Sequence, residues 1–332
     1  MKTHNLTIII PHYNSADMLG KLLSTIPPNK NIEVIVVDDK SEESHITSIR
    51  KMEESEEYIN FTLLSNKTAQ KGAGTARNIG LKKATGTWIL FADADDYFTD
   101  IFYESISHYF ENNNDIVFFS PTSIYIDTKE MADRHLDICD VLNKYMDNKS
   151  KENELNLRFN IFPPWAKLIK KDFLDDNKIT FDEVIAANDV MFSTKVGYFM
   201  KNFEVSDSTV YVITRNHGSL TANMSESVFD IRFKIIINYH NFLKGKLMED
   251  YFKLLNLSHF GREYIVRSMK FGMLKTFKVI FELKKNNFKF FHAKLLNPLH
   301  VASKIFQYKK NKKKNVKYMT SEKILKRDSN ED

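Results

Sequence analysis

KGAGTARNIGLKKATGTWILFADADD, Lys71 to Asp96, reads as a glycine-loosened loop, then a helix, then a buried strand that ends on a cluster of carboxylates. Gly72 and Gly74 permit a tight backbone path and close approach of a neighbour. Ala76, Ile79, Leu81 and Ala84 fall roughly on one face of a helix predicted from about Gly74 to Ala84, and Gly86 breaks it. Trp88-Ile89-Leu90-Phe91-Ala92 is an apolar run of strand length, of the kind buried on both faces of a parallel sheet. Asp93, Asp95 and Asp96 follow where that strand leaves the sheet, which is where open α/β sheets bind ligands. Three acids within four positions repel one another unless a cation or donors neutralise them. The plain alternative is a solvated acidic turn.

Upstream, Leu6–Pro11, Ile32–Val37 and Phe61–Leu64 read as three further strands, with helices from Ser15 to about Ile26 and from Ser44 to Glu57. This β-α-β-α-β-α-β alternation predicts an α/β fold with a mostly parallel sheet and right-handed crossovers. Pro11, His12, Tyr13 and Asn14 form the exit from the first strand, and Asp38-Asp39-Lys40-Ser41 the exit from the second. Asp38-Asp39 is either a capped turn or a carboxylate pair placed to accept from a nucleobase or ribose. An acidic pair also marks phosphoacceptor domains, but there it follows the first strand.

Downstream, Asp115–Ser120 and Ser123–Ile126 read as two strands, and residues 133–159 as polar helix. Trp165, on a loop stiffened by Pro163 and Pro164, either offers a flat face to a sugar ring or plugs the edge of the core. In FDEVIAANDVMFS (Phe181–Ser193), Asn188 is expected to cap a helix running to about Met200, with Asp189 in its first turn. Thr209–Thr214 is a late strand, followed by Arg215-Asn216-His217-Gly218-Ser219-Leu220-Thr221.

The 332 residues are 42% hydrophobic, enough for one large α/β domain and an appendage. Cys139 is the only cysteine, which excludes an intrachain disulfide and suits a reducing compartment. MKTHNLTIII has one early Lys and its apolar run stops at Pro11, unlike a signal peptide. No run approaches the ~20 apolar residues of a membrane span. The net charge of +5 hides an asymmetry: 24 Lys and Arg against 33 acids up to Met224, then 24 against 10 from Ser225. This suggests an acidic first part over 1–224, a basic helical region over 225–308 and a Lys-rich tail over 309–332. The basic helices are either cover packed on the first part or a docking face for an anionic membrane, with Phe288, Phe290, Phe291, Leu295 and Leu296 as apolar contacts and Lys309, Lys310, Lys312, Lys313 and Lys314 as the clamp. Nucleic acid is not expected, since no reading motif accompanies the charge.

Taken together, IIIPHYN, VVDDKS, GTARNIGLKKATG and FADADD resemble, in order and spacing, the inverting glycosyltransferases of family 2, with the nucleotide-diphospho-sugar (GT-A) fold. The resemblance runs from about Leu6 to Thr221, and implies a nucleotide-sugar half to about residue 115 and an acceptor half to 224. It places Pro11 and Tyr13 near the base, Asp39 on the uracil edge, and Arg77 and Asn78 in support of the nucleotide loop. Asp93 would hold ribose or metal-bound water, and Asp95 would ligate a divalent cation, Mn²⁺ or Mg²⁺. Asp189 would be the general base, although its usual Glu neighbour is Asn188 here. Lys40 stands where the family usually has Gly. Arg215 would pair with phosphate and His217 would be a third metal ligand; Trp165, Lys167 and Asp96 would face acceptor or phosphate. The expected enzyme is a cytosolic transferase, peripheral at the inner face of the cell membrane, that moves a sugar from a UDP-sugar to a surface-glycan or lipid-linked oligosaccharide acceptor. The competing readings are a sugar-phosphate nucleotidyltransferase and a non-catalytic membrane- or polysaccharide-binding protein.

Overall fold

The computed structural model describes residues 4–55, 57–215 and 225–289. Its first half follows the predicted alternation: β1 (His4–His12), α1 (Ala16–Ser24), β2 (Ile32–Asp38), α2 (Glu43–Glu53), β3 (Thr62–Ser65), α3 (Ala73–Lys83) and β4 (Gly86–Phe91). Side chains of successive strand residues point to opposite faces, and here both faces are buried. Leu6, Ile8 and Ile10 of β1 join Val34 and Val36 of β2 and Trp88 and Leu90 of β4 in one core, which α1 closes with Leu19, Leu22 and Leu23. Ile9, Ile35, Val37, Ile89 and Phe91 enter a second core on the other face, with Ala76 of α3. Each such side chain contributes about 1.5–3 kcal/mol by leaving water.

The chain continues through β5 (Tyr97–Phe98), α4 (Phe102–Ser107), β6 (Ile116–Tyr125), α5 (Leu136–Asp147), α6 (Lys151–Phe159), β7 (Lys167–Lys170), α7 (Lys171–Asp176), α8 (Val190–Phe199) and β8 (Phe203–Arg215). The sheet order is β3-β2-β1-β4-β7-β6-β8-β5. β1 pairs in parallel with β2 and β4, and β2 with β3. β7 is antiparallel to both its neighbours, and β5 is antiparallel to β8. The two strands expected either side of Pro121 are one, β6, whose register against β8 shifts between Phe118 and Pro121. Proline brings no N–H to the ladder, so the strand passes it by an irregularity instead of ending.

α9 (Glu226–Lys246) and α10 (Glu249–Leu254) follow, then α11 (Ser258–Ser268), a 3-10 turn Met269–Phe271, and α12 (Met273–Lys285). The chain divides into two compact units at Asn256/Leu257, not at the charge boundary near Ser225. α9 carries the basic composition but buries Phe229, Phe233, Ile236, Tyr239 and Leu243. The Tyr239 hydroxyl donates to the Phe159 carbonyl at 3.0 Å, which ties α9 to α6 of the first unit. In the second unit Tyr264, Val279, Leu283 and Phe288 are buried. Phe288 is therefore not a lipid contact, and the other apolar residues and lysines expected to dock lie outside the described residues. No described helix is long and apolar enough to cross a membrane.

Candidate active site

Strand order reverses direction at β1, between β2 and β4, and by the rule for open α/β sheets the ligand crevice lies at the carboxyl ends of these strands. Tyr13 stands there 50% exposed, with the Lys71 ammonium 3.5 Å from its ring centroid. Pro11 is buried. Asp39 is buried too, and both carboxylate oxygens are engaged: Oδ1 accepts from Asn66 Nδ2 at 2.6 Å and Oδ2 from the Gly72 N–H at 2.7 Å. Each oxygen keeps a second lone pair for a base donor, while these bonds seat the loop 66–72 on the end of β2. Lys40 adopts φ +66°, the left-handed conformation a Gly would take without strain. The Lys40 and Ser41 N–H groups donate to Asp38 Oδ2 at 3.1 and 3.2 Å, which holds the turn closed. His12 joins the two exit loops: its Nε2 accepts from the Ser15 N–H at 3.1 Å and its Nδ1 lies 3.2 Å from Asp38. That pattern assigns the proton to Nδ1, and burial lowers the imidazole's pKa, favouring its neutral form.

The three acids after β4 divide by environment. Asp93 Oδ1 pairs with Arg77 Nη2 at 2.5 Å. Asp95 is exposed, and its carboxyl is pushed up by partial desolvation and by the charge of Asp93. Asp96 is buried; Oδ2 accepts from the Tyr211 hydroxyl at 2.9 Å and Oδ1 from the Thr214 N–H at 2.8 Å. Burial first, then Asp93 and Asp95, raise Asp96 well above the usual carboxylate range. Asp96 thus ties the acidic turn to β8 and does not face acceptor or phosphate. Tyr211 also accepts from the Asp93 N–H at 2.8 Å.

A clamp joins this end of β4 to the segment that carries Asp189. Arg77 Nη1 donates to Asn188 Oδ1 at 2.9 Å while its other terminal nitrogen holds Asp93. Asn78 bonds the backbone of Phe181 on both sides, Nδ2 to the carbonyl at 3.0 Å and Oδ1 from the N–H at 2.9 Å. A Cβ on Gly74 would stand 2.3 Å from the Asp182 carbonyl oxygen, and one on Gly72 2.8 Å from that of Val184. The two glycines of the organising stretch are therefore where α3 presses on the 182–188 loop. Ala187 is left-handed at φ +55° just before Asn188, a strain that persists only where surroundings impose it. Asn188 does not cap α8, since its oxygen is taken by Arg77; Asp189 occupies the cap position without a side-chain cap bond. Burial raises the Asp189 carboxyl, opposed by Arg77 and Lys167 and reinforced by Asp93.

Arg77→Met should destabilise the fold by about 3 kcal/mol, the lower end for a broken buried pair because Asp93 is about one-third exposed. Melting should fall by on the order of 10 °C, with part of the loss recovered in Arg77→Met/Asp93→Asn. A wild-type melting curve for the single variant would show that the clamp carries no stability.

The residues expected on the acceptor side are placed differently. Trp165 is only 6% exposed and stacks on Tyr211 at 5.3 Å between centroids, so it is core and not a sugar platform. Ala166, left-handed at φ +54°, separates it from Lys167, which is also buried. Lys167 Nζ donates to the Ile161 carbonyl at 2.6 Å and to Ser193 Oγ at 3.2 Å, and complete burial lowers its pKa to about 7. It is a buried tie behind α8, not an acceptor contact. Arg215 pairs with Asp133 and stands over the Tyr125 ring. His217 lies outside the described residues. Three participants escaped the sequence reading: Asn66, Tyr211 and Arg134, an exposed cation whose charge acts on Asp95. Nothing local in the sequence distinguishes them.

Among the described residues no group of three or more His, Cys, Asp and Glu is gathered as a metal site. Asp93 and Asp95 nevertheless offer hard oxygen donors whose mutual repulsion a cation would relieve. Mg²⁺ and Mn²⁺ take one or two carboxylates and complete their shell with phosphate oxygens and water. The donor set fits such an ion once a diphosphate is bound.

The sequence profile described as Glycosyl transferase family 2 matches residues 7–177. The poly(ribitol-phosphate) beta-glucosyltransferase of Bacillus spizizenii is 29% identical over 64% of this chain, and the chain spans 33% of that protein. The crystal structure of S. aureus TarS 1-349 in complex with UDP-GlcNAc superposes with a TM-score of 0.57 at 22% identity, over 80% of this chain and 73% of that one. The mannosyltransferase PcManGT from Pyrobaculum calidifontis, in complex with GDP-Man and Mn2+, gives 0.56 at 16% identity, over 92% and 84%. The profile spans the carboxyl ends of β1, β2 and β4 and the whole organising stretch, and the solved structures share the sheet and its flanking helices. This chain belongs to glycosyl transferase family 2.

Proposed function

We propose that the chain is an inverting transferase that moves a sugar from a UDP-sugar to a hydroxyl of a bacterial surface glycan, with Asp189 as general base. The observation that carries the reading is the Arg77 clamp, which couples the strand-end carboxylate Asp93 to the loop that presents Asp189. Tyr13 and Asp39 receive the base and Lys71 stands at the same crevice. The UDP-GlcNAc complex of the TarS relative supports a uridine donor, and the name of the Bacillus spizizenii relative, a poly(ribitol-phosphate) beta-glucosyltransferase, supports a polymeric acceptor; a lipid-linked acceptor at the membrane's inner face belongs to the same reading.

In the reaction, Asp189 takes the proton of the acceptor hydroxyl as its oxygen bonds to the anomeric carbon. The bond from that carbon to the diphosphate breaks on the opposite side, and UDP leaves with the electron pair. A carboxylate whose pKa burial raises suits this role, because proton transfer is best matched by a pKa shifted toward the working pH. A divalent cation held by Asp93 and Asp95 would supply Lewis-acid stabilisation of the diphosphate. Turnover of UDP-sugars should require Mn²⁺ or Mg²⁺, fall to background in EDTA and return on readdition. Full turnover in EDTA rejects the metal; turnover with none of a panel of nucleotide-sugars rejects the reaction.

A further inference from the structure

Six of the large apolar residues left exposed on this chain lie between Val266 and Phe281. On α12, Met273, Phe277 and Phe281 recur every four residues and so line up along one side, with Leu274 beside them; they are 66, 60, 65 and 82% exposed respectively. The opposite side of the same helix, Thr276, Val279 and Leu283, is buried. Val266 of α11 and Met269 of the 3-10 turn before α12 are exposed as well. Exposed apolar residues scattered singly need no explanation, but a continuous stripe of them marks a surface made to be covered.

The charge around the stripe indicates what covers it. Residues 257–289 hold eight Lys and Arg against two Glu. Lys278 and Lys285 lie one step further round α12 from the stripe, and Lys270 and Lys284 are exposed near its ends. Glu282, the only acid on α12, is 3.7 Å from Lys285. A second copy docked by two-fold symmetry would set the same lysines against one another, whereas an anionic surface neutralises them. At 13 residues α12 is about 20 Å long, too short for the ~30 Å hydrocarbon core, so it can lie on a bilayer but not across it.

We propose that this face of α12 is a docking surface for anionic lipid, with Met273, Leu274, Phe277 and Phe281 entering the headgroup boundary and the flanking lysines pairing with lipid charge. Helices of this build sit with their apolar side some 5–10 Å deep in the interface, and each nearby Lys adds to the attraction. The inference rests on the reading that the acceptor is carried at a membrane, and its test needs neither donor nor acceptor, so either can fail alone.

The full chain is sedimented with vesicles of phosphatidylglycerol and phosphatidylcholine, and with phosphatidylcholine alone. Wild type should pellet with the anionic vesicles and weaken as salt shortens the screening length. Phe277→Asp/Phe281→Asp should lower partitioning about tenfold or more, and Lys278→Glu/Lys285→Glu should lower it on anionic vesicles, both with unchanged hydrolysis of UDP-sugar. Undiminished binding by the phenylalanine variant, equal binding to neutral vesicles, or no binding to either overturns the proposal. So does a wild-type dimer by light scattering that the phenylalanine variant converts to monomer, which would make the face a contact between copies of the chain.

Discussion

Asp189→Asn should lower turnover by about 10²–10⁴-fold, the usual cost of removing a positioned general base, while leaving UDP binding and melting nearly unchanged. The asparagine has the same size and forfeits no helix cap, because Asp189 makes no side-chain cap bond. Arg77 keeps its partners Asp93 and Asn188, so the loop should stay seated. Removing a carboxyl whose charged form burial disfavours leaves stability level or slightly higher. The pH profile gives an independent sign. The base works only when ionised and its pKa is raised, so activity should fall on acidification at a higher pH than the ~3.9 of an ordinary Asp would set. Calorimetric titration of UDP and steady-state turnover of the same preparation separate the effects. Wild-type turnover in Asp189→Asn would move the base to Asp182, whose carboxyl burial also raises, or to Glu183.

Asp95→Ala should cost about 10²–10³-fold in turnover, the scale of losing one group that stabilises developing charge. The cause differs from that of Asp189→Asn, and so does the signature. Donor affinity should drop in Mn²⁺ and be indifferent to the substitution in EDTA. Apo melting should hold or rise slightly, since Asp95 forms no salt bridge among the described residues and Asp93 repels it. Equal donor affinity in wild type and variant at saturating Mn²⁺ would remove Asp95 from the cation site.

The parallel half of the sheet was legible because each strand is an apolar run buried on both faces, and the helices between carry a helical period. β7 and β5 were not: Lys167–Lys170 and Tyr97–Phe98 are too short to show a period, and only their partners make them strands. Of the proposed site residues, Asp39 holds the Gly72 N–H, Arg77 joins Asp93 to Asn188, and the Asp95 and Asp189 carboxyls both feel the charge of Asp93. Asn78 acts there by gripping the Phe181 backbone, a role no local pattern announces. Trp165 and Lys167 are buried where the sequence leads one to expect exposure, for a related reason. Whether a Trp is platform or core depends on Tyr211, far along the chain, and a Lys is read as exposed until its amine meets a carbonyl such as Ile161. The change of charge near Ser225 marks composition, whereas the boundary between units follows what α9 buries.

The grip of residues 72–78 on 181–189 also limits how such enzymes can be recombined. On the linear map the donor half and the acceptor half look like exchangeable cassettes. Gly74 against Asp182, Asn78 against Phe181 and Arg77 against Asn188 make those two short segments a single inherited part. A chimaera with its crossover between Asp96 and Phe181 pairs a loop from one parent with a helix start from another and splits that part. Crossovers before Gly72 or after Asp189 transmit it whole, so libraries built to change donor or acceptor choice should keep both segments from the same parent.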